Sequence, residues 1–221
     1  MYINENLQKK GAIFDLDGTV IDSMQLWLDI DREFFERRNM KVPCDYQKSI
    51  AHLGLRECAK FTIKEYGLCE KENDLILEWE EMCLCRYEGK DSARFIKKGA
   101  SEYLRKLKNS GVKLAVATAN SPSLFMPILK NNNLYELFNA FTTVDEVGKN
   151  KACPDIFIES AKKLGLNISD CVVYEDSLVA LKTAKSLNMQ TVGVFDESSI
   201  ALVDDIKRVC DKFIYNFTEL L

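Results

Sequence analysis

Hydrophobic and polar positions change their period twice along this chain. A short apolar run, Ala12 to Phe14, reads as a buried strand and stops at two acids, Asp15 and Asp17, followed by Gly18 and Thr19 at a tight turn. From residue 23 to about 95 the period is helical. Leu26, Trp27, Ile30, Phe34 and Phe35 mark a helix over 24–38, and Pro43 interrupts. Cys58, Ala59, Ile63 and Tyr66 mark a second helix, closed by Gly67 as its C-terminal cap. Leu75, Trp79, Met82, Cys83 and Tyr87 mark a third, with a stop at Gly89. These amphipathic segments predict a small helical bundle.

From Gly99 onward strands and helices alternate. The pattern predicts a helix over 101–108, a strand over 112–117 and a helix over 122–131. Phe141 to Val144 is the faintest strand candidate. Pro154 opens a helix that closes at Gly165, the expected asymmetry of helix ends. Cys171 to Tyr174 is a strand, Ser177 starts a helix, and Thr191 to Phe195 is the fifth strand. Such alternation predicts right-handed crossovers and a parallel sheet with helices on both faces. Ligands bind such sheets beyond the carboxyl ends of the strands. The polar residues closing three strands should therefore converge: Asp15 and Asp17, Thr118 and Asn120, Glu175 and Asp176.

Composition narrows the function classes. The chain has 221 residues, a net charge of -4 and 47% hydrophobic residues, which suits a globular protein with no basic face for nucleic acid. No apolar run approaches the roughly 20 residues of a membrane span, and the first ten residues lack a signal-peptide core. Eight scattered cysteines with one histidine fit neither a stapled scaffold nor a zinc site, so reduced thiols and a cytoplasmic location are expected. Two acids at the mouth of a buried strand repel each other, and a hard cation such as Mg²⁺ would relieve them.

Each candidate also has a plainer reading. Thr118 and Asn120 suit any turn, Glu175-Asp176-Ser177 suits a helix cap, and Lys149 or Lys151 suits a solvated surface. The combination changes the balance. Asp15-Leu-Asp17-Gly18-Thr19, Thr118, Lys151 ahead of Pro154-Asp155, and Glu175-Asp176, in that order, resemble the four motifs of the haloacid dehalogenase-like (HAD) hydrolase superfamily. The helical segment after the first motif is similar to the subgroup with an all-helical cap, whose members include phosphatases and β-phosphoglucomutase-like enzymes. The resemblance implies a Rossmann-like α/β core, residues 1–22 and 96–221, and an inserted helical cap, residues 23–95. Two departures stand out. The third motif offers two lysines, of which Lys151 fits better, and Ala180 replaces a glycine of the fourth.

A phosphate monoester repels any approaching carboxylate, so its hydrolysis needs a cation between them. The resemblance then implies Asp15 as nucleophile, Asp17 as general acid and base, and Mg²⁺ held by Asp15, Asp17 (through its carbonyl), Glu175 and Asp176. It implies Thr118, Lys151, Gly18 and Asn120 around the phosphoryl oxygens. His52 and Arg56, near a cap junction, either read the substrate or decorate a loop. The expected function is Mg²⁺-dependent hydrolysis of a small phosphorylated metabolite, a sugar phosphate being one candidate. A sugar phosphomutase and a non-catalytic phosphate-binding regulatory domain are the alternatives. The mutases carry a cap histidine where this chain has Trp27, and an indole cannot shuttle a proton near neutral pH.

Overall fold

The computed structural model describes residues 9–50, 53–87 and 92–221. Six parallel strands form one sheet: β1 (Gly11–Phe14), β2 (Lys113–Thr118), β3 (Ala140–Thr143), β4 (Cys171–Glu175), β5 (Gln190–Val194) and β6 (Lys212–Ile214). Their order is β3-β2-β1-β4-β5-β6. Gly11 stands opposite both Lys113 and Cys171, so the first strand ends up central. The strand order reverses between β1 and β4, and a crevice opens at such a point beyond the carboxyl ends.

Side-chain alternation sorts the two faces. Phe14, Leu114, Val116, Val172 and Tyr174 point to one buried face, with α5 (Ala100–Asn109) and α6 (Pro122–Asn131). Ile13, Ala115, Ala117 and Val173 point to the other, under α8 (Asp155–Leu164) and α9 (Leu178–Ser186). Phe14 stacks on Tyr174 with ring centroids 4.3 Å apart. Tyr174 shares a 2.5 Å hydroxyl–hydroxyl hydrogen bond with Tyr103 of α5, which satisfies both phenols inside the core.

Four helices lie between β1 and α5: α1 (Met24–Glu36), α2 (Tyr46–Ile50), α3 (Leu55–Tyr66) and α4 (Glu72–Tyr87). Phe34, Phe35, Tyr46, Leu75 and Trp79 are buried among them. Their outer surface carries ion pairs, such as Arg38 with Glu78 at 2.7 Å. The chain leaves and rejoins the core side by side. Asp22 N–H donates to Phe95 carbonyl at 2.7 Å, and Lys97 N–H to Val20 carbonyl at 2.9 Å.

The five expected strands and the main expected helices are present. Gly67 and Gly165 close α3 and α8 in the left-handed conformation, as the sequence implies. The Gly89 stop lies outside the described residues. The pattern omitted α2, α7 (Val144–Val147), α10 (Val203–Val209) and β6. Each is too short to show a period of its own, and β6 gains its place only by pairing with β5.

Phe14 is fully buried against Tyr174, Phe138 and Phe217. Phe14→Ala should therefore cost about 3–5 kcal/mol. Urea unfolding of the variant checks this, and a loss under 1 kcal/mol would contradict the packing.

Candidate active site

The carboxyl ends of β1, β2 and β4 meet at the crevice. The carbonyl of Leu16 accepts N–H groups from Thr19, Val20 and Ile21 at 2.8–3.1 Å, which folds the chain back directly after Asp15. Gly18 sits in that turn at φ 82°, a region that favours glycine. A Cβ there would meet Asp176 Oδ2 at 2.6 Å, so the turn and the fourth-strand acid need this glycine.

Asp15, Glu175 and Asp176 are all buried, and each offers an oxygen within 4.8 Å of the others. Lys151, 7% exposed, enters from the loop ahead of α8. Its ammonium lies 2.5 Å from Asp15 Oδ1 and 2.8 Å from Glu175 Oε2. The second Glu175 oxygen accepts the backbone N–H groups of Asp176 (3.2 Å) and Ser177 (3.0 Å). Asp176 Oδ1 accepts the Thr19 hydroxyl at 2.8 Å. Lys149 is exposed and pairs with Asp155 at 2.9 Å, so of the two lysines Lys151 is the one among the buried acids.

Burial shifts these groups. It drives the Asp15 carboxyl well above its usual range, with the Glu175 charge adding to it and Lys151 opposing. Burial, then the charges of Asp15 and Asp196, raise Asp176 to about 7. Burial also raises Glu175, and Lys151 opposes it. Lys151 is raised, because the attraction of Asp15 and Glu175 outweighs its own burial. One ammonium serves three buried acids. An all-oxygen donor set with that charge deficit fits a hard divalent cation.

The Asp17 side chain stands outside this carboxylate group, and the resemblance assigns Asp17 to the cation through its carbonyl rather than its carboxylate. Its side chain turns the other way, toward the inserted helices. Ser23 Oγ (2.6 Å) and Trp27 Nε1 (3.1 Å) donate to Oδ1, and Asn120 Nδ2 (2.9 Å) to Oδ2. Thr118 ends β2, buried, and its hydroxyl oxygen accepts Asn120 N–H at 3.0 Å. Arg56 is exposed and pairs with Glu72 at 3.8 Å, apart from the acids. His52 lies outside the described residues.

The sequence reading passed over Thr19, Ser23 and the Asp17 bond of Trp27. Ser23 and Trp27 are four residues apart around the start of α1, and that spacing on one helix face was their only signal. It also missed a polar contact between the insertion and the core. Glu80 Oε1 on α4 accepts the hydroxyls of Ser121 (2.9 Å) and Ser123 at the start of α6.

Buried acids and a buried lysine at a sheet's switch point define an enzyme site. Residues 12–194 match the family model "Haloacid dehalogenase-like hydrolase", and the chain belongs to that family of hydrolases. It is 28% identical over 199 residues to a bifunctional riboflavin kinase/FMN phosphatase of Arabidopsis thaliana, covering 88% of this chain and 51% of that protein. It is 26% identical over 195 residues to a beta-phosphoglucomutase of Bacillus subtilis, covering 84% and 83%. The fold is shared with a beta-phosphoglucomutase from Clostridium difficile, at TM-score 0.80 and 21% identity over 96% of this chain and 93% of that one.

Stability should depend on pH through the raised acids. An acid whose folded pKa exceeds its unfolded value stabilises the fold at low pH and loses that contribution as pH rises through the folded value. Asp176 passes from 3.8 unfolded to about 7 folded, so metal-stripped protein should melt higher at pH 6 than at pH 8. Each kcal/mol is worth about 2–4 °C at this chain length. Mg²⁺ should raise the melting temperature more at pH 8 than at pH 6. A pH-independent melting temperature in EDTA would contradict the charge deficit.

Proposed function

We propose that this protein is a Mg²⁺-dependent phosphatase acting on a small phosphorylated metabolite through a phospho-Asp15 intermediate. The observation that carries this is the opposed arrangement of two acids on one turn. Asp15 faces Lys151 and the buried carboxylates, and Asp17 faces the insertion under three hydrogen-bond donors. One acid is set for attack on phosphorus and the other for proton transfer at the leaving oxygen.

Asp15, Asp176 and the Asp17 carbonyl would hold the cation, with Glu175 beside them. When bound, the cation offsets the negative charge between Asp15 and the phosphoryl oxygens. An Asp15 carboxylate oxygen forms a bond to phosphorus while the bond to the leaving oxygen breaks. Asp17 gives its proton to that oxygen. As a carboxylate it then takes a proton from water, which attacks the acyl phosphate and restores Asp15. Ser23, Trp27 and Asn120 hold Asp17 at this station. Lys151, the Thr118 hydroxyl and backbone N–H groups near Gly18 and Asn120 take the phosphoryl oxygens. Glu175 positions Lys151 and the Asp176 backbone.

Residues 23–95 would act as a lid over this site, with boundaries near Asp22 and Ile96, where the two connections run together. A lid excludes water and shapes the space for the leaving group. All eight cysteines are free thiols, which suits a reducing compartment such as the cytoplasm. Among the described residues no helix is long and apolar enough to cross a membrane.

The similarity to a beta-phosphoglucomutase keeps a mutase reading in view. Trp27 argues against it. Its indole N–H donates to Asp17 and cannot carry a proton between groups near neutral pH. A mutase must also keep water from its phospho-aspartate while the substrate turns round.

Asp15→Asn should fold normally and lose all but a trace of phosphate release with a phosphomonoester panel. Retention of a tenth of wild-type activity would remove Asp15 as nucleophile. EDTA should abolish turnover and Mg²⁺ restore it. Glucose 1-phosphate and glucose 6-phosphate should not interconvert, and interconversion faster than phosphate release would make the enzyme a mutase.

A further inference from the structure

The inserted helices bury one acid for which the proposed chemistry has no use. Asp31 of α1 is 5% exposed and belongs to no ion pair among the described residues. Its neighbours on α1 and α4 behave differently. Asp29 pairs with Arg32, Glu33 with Arg37 and Arg86, and Glu78 with Arg37 and Arg38. These acids lie on the outer face, where arginines are at hand. Asp31 lies on the inner face, and its polar partner is the Gln47 side-chain amide on α2. Burial raises its carboxyl to about 7. A buried acid without a cation lowers stability, so its presence calls for another account.

Two observations locate Asp31 relative to the active site. Ser23, Trp27 and Asp31 follow each other at intervals of four, so they form one row along α1. The first two both donate to Asp17 Oδ1. Asp31 is the next member, about 6 Å further along the helix. The second observation comes from the core. Gly54, capping α3, lies against α7, and a Cβ on it would meet Asp145 Oδ1 at 2.9 Å. The Cys58 thiol, one turn on, is pushed up to about 12 by burial first, with the charges of Asp31 and Asp145 adding to it. Asp31 thus sits between the row that ends on Asp17 and the seam where the insertion meets the core.

We propose that Asp31, with Gln47 beside it, reads the part of the substrate that is not phosphate, and selects leaving groups carrying hydrogen-bond donors over leaving groups carrying a carboxylate. This rests on the phosphatase reading and deepens it. With the leaving oxygen at Asp17, a leaving group of a few carbon atoms spans the interval to Asp31. Hydroxyls or an ammonium at its far end donate to the Asp31 oxygens. Above pH 7, where the Asp31 carboxyl is ionised, a carboxylate there would set like charges together, so the esters are compared at pH 8. Gln47 holds the Asp31 carboxyl in register and leaves oxygen lone pairs for the substrate.

The test compares kcat/KM for three small esters in wild type and Asp31→Asn: glycerol 3-phosphate, O-phosphoethanolamine and 2-phosphoglycolate. Wild type should prefer a donor-bearing ester over 2-phosphoglycolate by at least tenfold. The better of the hydroxyl and ammonium esters names the donor class. Asp31→Asn should shrink that ratio at least tenfold, mostly through KM. Circular dichroism and thermal unfolding check that the variant folds. If it does not, Gln47→Ala provides the second reading, with an expected rise of at least threefold in KM for the preferred ester. A ratio unchanged within twofold in folded Asp31→Asn, or an unchanged KM in Gln47→Ala, overturns the inference. Turnover of p-nitrophenyl phosphate without preference among the three esters overturns it alone. Absence of turnover with every ester overturns the phosphatase reading beneath it.

Discussion

The Lys151 ammonium between Asp15 and Glu175 is the contact on which the rest of this site depends. Three carboxylates buried within a few ångströms repel one another, and solvent cannot screen them there. A single positive charge, itself buried, offsets part of that repulsion and fixes two of the acids in place. Removing it would leave uncompensated buried charge, which costs far more than an exposed ion pair. What the lysine leaves unbalanced defines the demand for a further cation.

Much of this was legible along the chain because the acids follow strands. An apolar run that stops at a carboxylate places that carboxylate at a sheet edge, and the alternation of strands with helices says which edge. Asp15, Thr118, Glu175 and Asp176 needed no more than that. Lys151 was harder, since nothing in Gly148-Lys149-Asn150-Lys151 says which lysine turns inward. Burial decides it, and burial comes from tertiary packing. The turn of Asp17 away from the other acids was not legible either. Its direction is set by donors from two segments distant in sequence, the start of α1 and the turn after β2, and no local pattern encodes their meeting. Short elements such as α2 and β6 hid for a related reason, because they owe their conformation to partners distant in sequence.

The insertion and the core touch through polar groups as well as apolar ones. Trp27 reaches Asp17, and Glu80 reaches the serines that open α6. Both contacts rest on one or two polar bonds, unlike the packed aromatic layer around Phe14 and Tyr174. The two connections at residues 20–22 and 95–97 are held to each other by main-chain hydrogen bonds. The two connections therefore form a paired ribbon rather than two loose strands, the arrangement that the proposed lid would turn on.

The central position of β1 has a consequence for how the molecule forms. The strand that carries Asp15 comes first in the chain, yet its partners begin at Lys113 and Cys171. It must close loops of roughly 100 and 160 residues before either edge is satisfied, and such long-range pairing slows folding. The helices between these strands make mostly local contacts and can gather earlier. During synthesis, an apolar strand with both edges unpaired waits for most of the chain to emerge. This interval is when the protein is most exposed to aggregation, and when a chaperone would have most to protect.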